Sequence, residues 1–226
     1  MRGVIFDMDG VLILSAEHHF RAWRETAAAD NIELTYEFFT HTFGRTNPDT
    51  IRMIWGLKED GGAAVTPERA AAIAERKEQA FREQVRGGVP LAPGARELLV
   101  GLAEAGFVLS IGSSAPRENL DLIVDAGGIR GFFASIVDGS MVTRGKPAPD
   151  VFLLAAHGAL VRPEACIVIE DAPVGIQAAA AAGMVPVGVA TTHAEPELRK
   201  AGAAHVAGAL ADLNVTGLRR MIATER

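Results

Sequence analysis

A short apolar run, Val4-Ile5-Phe6, leads directly into two aspartates one residue apart, Asp7 and Asp9, and then Gly10. The run has the composition of a buried strand. Both carboxylates then fall at its carboxyl end, the edge where open parallel sheets gather their ligands. Two acids crowded there repel each other unless a divalent cation or a shared proton relieves them. This beginning therefore points to carboxylate chemistry with a metal ion before the rest of the chain is read.

The remaining chain alternates strand and helix. Arg2–Phe6, Phe107–Gly112, Ser135–Val137, Cys166–Ile169, Val185–Val189 and His205–Ala207 read as short strands bounded by Gly, Pro or acids. Gly94–Ala103, Arg117–Ala126, Asp150–Gly158, Val174–Ala182 and Glu197–Ala201 read as the helices between them. Such alternation predicts an α/β fold, a Rossmann-like parallel sheet covered on both faces by helices.

From Ser15 to Gly88 the alternation stops, and only helix signals appear. Ser15 is a candidate cap for a helix carrying Phe20 and Trp23. Thr66-Pro67-Glu68 is a stronger start: a capping hydroxyl, proline at the first helical position, and an acid in the first turn. Beyond it, Ala70, Ile73, Ala74, Ala80, Phe81 and Val85 share a rough apolar face. Gly61-Gly62 and Gly87-Gly88 read as joints. The expectation is an inserted α-helical cap domain, residues 15–88, between the two parts of an α/β core, residues 1–14 and 89–226.

Four clusters of reactive side chains follow in order: Asp7 and Asp9, Ser113-Ser114, Lys146 within Arg144-Gly-Lys-Pro-Ala-Pro149, and Glu170-Asp171. Most stand at predicted strand ends, so a parallel sheet brings them to one edge. Asp7, Glu170 and Asp171 are hard oxygen donors suited to Mg²⁺. Ser113, backbone N–H groups and Lys146 suit a phosphate. Mg²⁺ and Lys146 would offset the repulsion between a phosphate dianion and an attacking carboxylate. One aspartate can then form an aspartyl-phosphate while the second moves the protons. Sharing a site with Asp7 should raise the proton affinity of Asp9.

Asp7-Met-Asp-Gly-Val-Leu12, Ser113, Gly145-Lys-Pro-Ala-Pro-Asp150 and Glu170-Asp-Ala-Pro-Val-Gly-Ile-Gln-Ala-Ala179 resemble the four motifs of the haloacid dehalogenase-like hydrolases. The resemblance is narrower still to the β-phosphoglucomutase-like branch, whose helical cap follows the first motif. It implies that Asp7 is the nucleophile and Asp9 the general acid/base, with the Asp9 carbonyl also on Mg²⁺. It further implies that Asp171 binds the metal with help from Glu170, and that Ser113, Ser114 and Lys146 hold the phosphoryl group. In the cap it directs attention to His19, Lys77 and the loop Phe43-Gly-Arg-Thr-Asn47, so that Arg45 and Asn47 become substrate contacts. Two departures stand out. Asn47 occupies the place of an arginine that grips the distal phosphate in mutases, and Leu14 occupies that of an acid at the hinge.

The leading expectation is a Mg²⁺-dependent phosphatase of small phosphorylated metabolites, sugar phosphates above all; the alternative is a β-phosphoglucomutase. A phospho-accepting signalling domain is disfavoured by the long insertion and by Asp9. A dinucleotide-binding dehydrogenase is disfavoured because no Gly-Xaa-Gly-Xaa-Xaa-Gly follows a strand. With net charge -6 and no basic block, nucleic acid is not an expected partner. Cys166 is the only cysteine, which excludes an intramolecular disulfide. No apolar stretch reaches membrane-spanning length. The expectation is a cytoplasmic monomer with no membrane partner.

Overall fold

The structure, a computed structural model, describes residues 1–56 and 65–223. The Gly61-Gly62 joint lies outside the described residues. The sheet consists of β1 (Arg2–Phe6), β2 (Phe107–Gly112), β3 (Phe133–Val137), β4 (Cys166–Glu170), β5 (Val185–Val189) and β6 (His205–Ala207). All five pairings are parallel, in the order β3-β2-β1-β4-β5-β6. The order reverses beside β1, with β2 on one side and β4 on the other, and such a reversal opens a crevice at the carboxyl ends.

The three central strands are sealed because their side chains are almost wholly apolar. Val4, Ile5, Phe6, Ile111, Ile167, Val168 and Ile169 are all buried. This is the near-continuous apolar pattern of a sheet covered on both faces. One face packs mainly under α5 (Ala95–Glu104) and α6 (Arg117–Ala126), the other under α7 (Asp150–Gly158). Next in the chain come α8 (Pro173–Ala181), α9 (Glu195–Lys200) and α10 (Val215–Ala223). β3 starts two residues before the expected Ser135. An irregularity between Leu109 and Ser110 shifts its register, so that Leu109 faces Phe133 and Ser110 faces Ser135.

Among the described residues, four helices lie between β1 and α5: α1 (Ala16–Ala28), α2 (Tyr36–Thr42), α3 (Asn47–Trp55) and α4 (Pro67–Val85). Thr66 caps α4 as its sequence suggests, accepting from the Arg69 amide at 3.3 Å. The four helices bury an apolar cluster of their own, with Phe20, Trp23, Phe39, Ile51, Trp55 and Ile73 at its centre. The chain leaves through Ile13 and returns through Leu91, and these two residues form an antiparallel bridge. The Ala92 amide also donates to the Leu12 carbonyl at 2.8 Å. Both crossings therefore run side by side. No helix among the described residues is long and apolar enough to cross a membrane.

Candidate active site

Register alone places most of the site. Phe6 pairs with Ile111 on one side and Ile169 on the other. Asp7, Ser113 and Glu170 therefore emerge at nearly one level on three adjacent strands, and the Asp7 amide donates to the Ile169 carbonyl at 3.0 Å. Asp7, Glu170 and Asp171 are buried and present oxygens all within 4.8 Å of one another. Lys146 enters from the loop before α7. Its Nζ lies 2.6 Å from Glu170 Oε1, 3.1 Å from Asp7 Oδ1 and 4.8 Å from the centre of the Phe152 ring.

The electrostatics are unbalanced. Three carboxylates face one ammonium, and charges buried without partners are costly. Glu170 is well served: Oε1 accepts from Lys146, and Oε2 accepts from the Asp171 and Ala172 amides at 2.7 Å each. Asp7 Oδ1 has the Lys146 ammonium as its neighbouring donor, and the buried Asp171 carboxylate has only the Thr192 side chain and makes no ion pair among the described residues. Burial is the main force pushing the Asp7 carboxyl up to about 7; Lys146 pulls it back, while Glu170 and Asp9 push it further. Asp171 is raised well above the usual carboxylate range by burial first, then by Glu170 and Asp7. Lys146 is raised as well, because Asp7 and Glu170 outweigh the opposing effect of its burial. Crowded, buried carboxylate oxygens are the donor set a hard divalent cation requires, so these residues fit Mg²⁺. Gly10 leaves room for the cluster. It adopts φ +79°, and a Cβ there would fall 1.9 Å from Asp171 Oδ2.

Asp9 belongs to a different network. Its side chain lies outside the acid cluster and faces the cap, where Oδ1 accepts from Ser15 Oγ at 2.5 Å and sits 2.9 Å from His19 Nε2. His19 Nδ1 is 2.9 Å from Lys77 Nζ. An ammonium only donates, so Nδ1 accepts; the ring proton then sits on Nε2 and points at Asp9. Lys77 also donates to Glu78 Oε1 at 2.9 Å and lies over the Trp23 and Phe81 rings at 5.2 and 5.3 Å. Asn47 Nδ2 reaches the same Glu78 oxygen at 2.8 Å, and Asn119 Nδ2, from α6 in the core, reaches Oε2 at 2.7 Å.

Two expectations need correction. Asp9 does not gain proton affinity from its setting. Burial pushes it up, but His19, Ser15 and Lys77 together outweigh that and hold it below the usual carboxylate range. Ser15 does stand at the start of α1, yet its hydroxyl makes no capping bond and is spent on Asp9.

The other candidates converge on the same cleft. It is lined by Asp7, Asp9, His19, Arg45, Asn47, Lys77, Ser113 and Ser114. Ser113 Oγ accepts from the Ala115 amide at 3.1 Å, while Ser114 Oγ donates across the cleft to the Gly44 carbonyl at 2.9 Å. Gly44 (φ +81°) packs so close to the core that a Cβ would lie 2.8 Å from that of Ala172. Arg45 is half-buried, with Nε 3.5 Å from the His41 carbonyl. His193 adds a further tie, with Nδ1 3.1 Å from the Asp171 carbonyl and Nε2 3.0 Å from the Thr40 carbonyl.

As site residues, Ser15, Glu78, Asn119 and His193 were not anticipated from the sequence. Two of these carried a signal. Ser15 and His19 are four residues apart and so share a helical face. Lys77 and Glu78 interrupt the buried stripe Ile73, Phe81 and Val85 of α4, a place where charge must be paired. Asn119 and His193 carried none.

A parallel sheet with carboxylates, serine and lysine gathered at its carboxyl edge, beneath an inserted helical cap, describes a class of phosphoryl-handling hydrolases. The haloacid dehalogenase-like hydrolase family matches residues 1–183, and the chain belongs to that family. It is 34% identical to the β-phosphoglucomutase of Bacillus subtilis over 193 residues, covering 84% of this chain and 83% of the relative. It is 33% identical over 190 residues to the fructose-1-phosphate phosphatase YqaB of Escherichia coli, covering 83% and 95%. Among solved structures, a mutant of CbbY from Rhodobacter sphaeroides in complex with xylulose-(1,5)bisphosphate superposes with TM-score 0.84 at 27% identity, covering 96% of this chain and 99% of that one. The relatives thus include both phosphatases and phosphomutases.

Proposed function

We propose that the chain is a Mg²⁺-dependent phosphatase that hydrolyses small phosphorylated metabolites, sugar phosphates in particular, through an aspartyl-phosphate. The observation that carries this reading is the buried cluster of Asp7, Glu170 and Asp171 with Lys146 held between Asp7 and Glu170. The cap is taken as residues 15–88 and the core as 1–14 and 89–226. The helices' separate apolar cluster and the Ile13–Leu91 bridge support that division.

Asp7 and Asp171 would hold the ion, with Glu170 assisting chiefly by orienting Lys146. Bound there, Mg²⁺ would neutralise phosphate charge and draw Asp7 into its ionised form. Lys146 and Ser113 hold the phosphoryl oxygens. An Asp7 oxygen bonds to phosphorus as the bond to the sugar oxygen breaks. Asp9 gives that oxygen a proton, then takes one from the water that attacks phosphorus, releasing phosphate and restoring Asp7. Asp9 is held as a carboxylate in this arrangement, so a proton must come to it before transfer. The arriving phosphate dianion supplies the reason, because a like charge raises proton affinity. His19 and Ser15 keep the Asp9 side chain in place throughout.

The cleft between the helices and the sheet edge is narrow, with about 50 Å³ open to the centres of water-sized molecules. A swing of the cap about its paired crossings would widen it for substrate, and closure would then exclude bulk water.

The β-phosphoglucomutase reading is favoured by one observation, the chain from Asp9 to His19 and from His19 to Lys77. Phosphate release from a panel of sugar phosphates, with isomerisation of β-glucose 1-phosphate followed in parallel, separates the two. Free phosphate in step with substrate loss supports the phosphatase. Glucose 6-phosphate without phosphate release overturns it.

A further inference from the structure

Glu78 is a buried acid of the cleft that the phosphoryl chemistry leaves unused. It lines the cleft from α4, is 4% exposed, and is gripped from three directions by Lys77, Asn47 and Asn119. Burial pushes its carboxyl up, but Lys77, His19 and Asn47 more than offset this and hold it below the usual carboxylate range. A fixed anion therefore stands in the cap wall.

Two consequences follow for whatever enters beside it. The Lys77 ammonium is already matched inside the cap by Glu78, His19 and two aromatic rings, so the pair offers no net positive charge to a ligand. A carboxylate only accepts, so Asn47 turns its amide N–H toward Glu78 and keeps its carbonyl oxygen for other partners. That oxygen accepts from a hydroxyl and repels a phosphate. The remaining cap cation in the lining, Arg45, is only half-buried and sits on the Phe43–Asn47 loop.

We infer that Glu78 makes the site selective for monophosphates with an uncharged, hydroxyl-bearing body and rejects substrates that carry a second phosphate. This rests on the phosphatase reading above and narrows its substrate class. With Lys77 held by Glu78, a second phosphate there meets acceptor oxygens and no free cation in the cap pair, and leaving a charge unpaired is an established route to specificity that is strong where water is scarce.

Matched pairs test it: fructose 1-phosphate against fructose 1,6-bisphosphate, and glucose 1-phosphate against glucose 1,6-bisphosphate. The wild type should favour the monophosphates by at least about tenfold in kcat/KM, a difference of roughly 1.4 kcal/mol. Glu78→Gln should shrink that ratio at least about tenfold, mainly through a lower KM for the bisphosphate, because Lys77 is released. Adding Lys77→Met should cancel the gain, which a merely structural effect of the first change would not do. Should Glu78→Gln fail to fold by circular dichroism, the unaltered protein still decides the matter. The bisphosphate should then inhibit monophosphate turnover with a constant at least about tenfold above the monophosphate KM. Equal turnover of both partners in a pair, or an unchanged ratio in folded Glu78→Gln, overturns the inference and leaves the phosphatase reading standing. No phosphate from any monophosphate overturns that reading and the inference with it.

Discussion

The two walls of the cleft handle charge in opposite ways. On the core wall, three buried carboxylates share one lysine, which reaches Asp7 and Glu170 and leaves Asp171 without an ion pair. On the cap wall, Lys77 and Glu78 form a buried pair whose remaining sites are taken by His19, Asn47 and Asn119. The first wall is incomplete until something positive arrives. The second is complete as it stands, and on the inference above it would offer a ligand shape and hydroxyl recognition. On the function proposed above, chemistry and selectivity would lie on separate pieces of the chain, joined through Asp9, whose side chain reaches Ser15 and His19.

The sharpest way to break this contrast is at Asp7. Asp7→Asn should lower phosphate release by at least about 10⁴-fold, as expected when a nucleophile is removed. It also removes one of the crowded charges, so the melting temperature should stay level or rise. Activity near wild type would refute the nucleophile assignment, and a large fall in melting temperature would refute the strained core wall.

Lys77→Met on the cap wall should do the reverse. It strands a buried carboxylate, and breaking such a pair costs about 3–5 kcal/mol. Thermal unfolding should show that loss, and Glu78→Gln in the same chain should recover much of it. If Lys77→Met melts like wild type, the cap pair is not the closed unit described.

Proton and metal linkage test the core wall without any activity assay. Asp7 and Asp171 are raised in the folded protein, so between about 4 and 7 the native state binds more protons than the unfolded chain. Their contribution to stability is therefore present at low pH and lost as pH rises through 7. In chelator, the melting temperature should carry a decline from these groups between pH 5 and 8. Mg²⁺ should restore it, and more at pH 8 than at pH 5. At a hundredfold excess over its Kd the gain is about 2.7 kcal/mol, roughly 5–10 °C for a chain of this size. No response to Mg²⁺ at pH 8 would contradict the metal assignment.

The smallest effect is expected at the joint between the walls. Ser15→Ala removes one of two donors to Asp9, so kcat should fall about tenfold. The acidic limb of its pH–rate profile should move to higher pH, because the carboxylate loses a bond that favours its charged form. An unchanged profile would mean that Ser15 does not position Asp9.

Much of this was legible along the chain. The ends of β1, β2 and β5 fell where the apolar runs end, since a buried parallel strand stops where polar residues begin. α9 was expected from Glu197 but begins at Glu195, because Pro196 is tolerated in a first turn. Asp7, Ser113, Lys146, Glu170 and Asp171 were readable because each follows a strand or motif whose direction is set locally. Glu78 and Asn119 were not readable as partners. They are 41 residues apart, and only the docking of the cap on the core brings them together.

By itself, then, the sequence determined the parallel sheet, the inserted helices and the set of groups at the sheet's edge, because periodicity and strand direction are local properties. Tertiary structure alone decided which carboxylate of the core cluster lacks an ion pair, that Asp9 is held below the usual carboxylate range rather than above it, and that the cap lysine is neutralised by its own neighbour. Those outcomes depend on distances between residues brought together from separate elements. Burial magnifies each such distance by removing the water that would otherwise screen the charges.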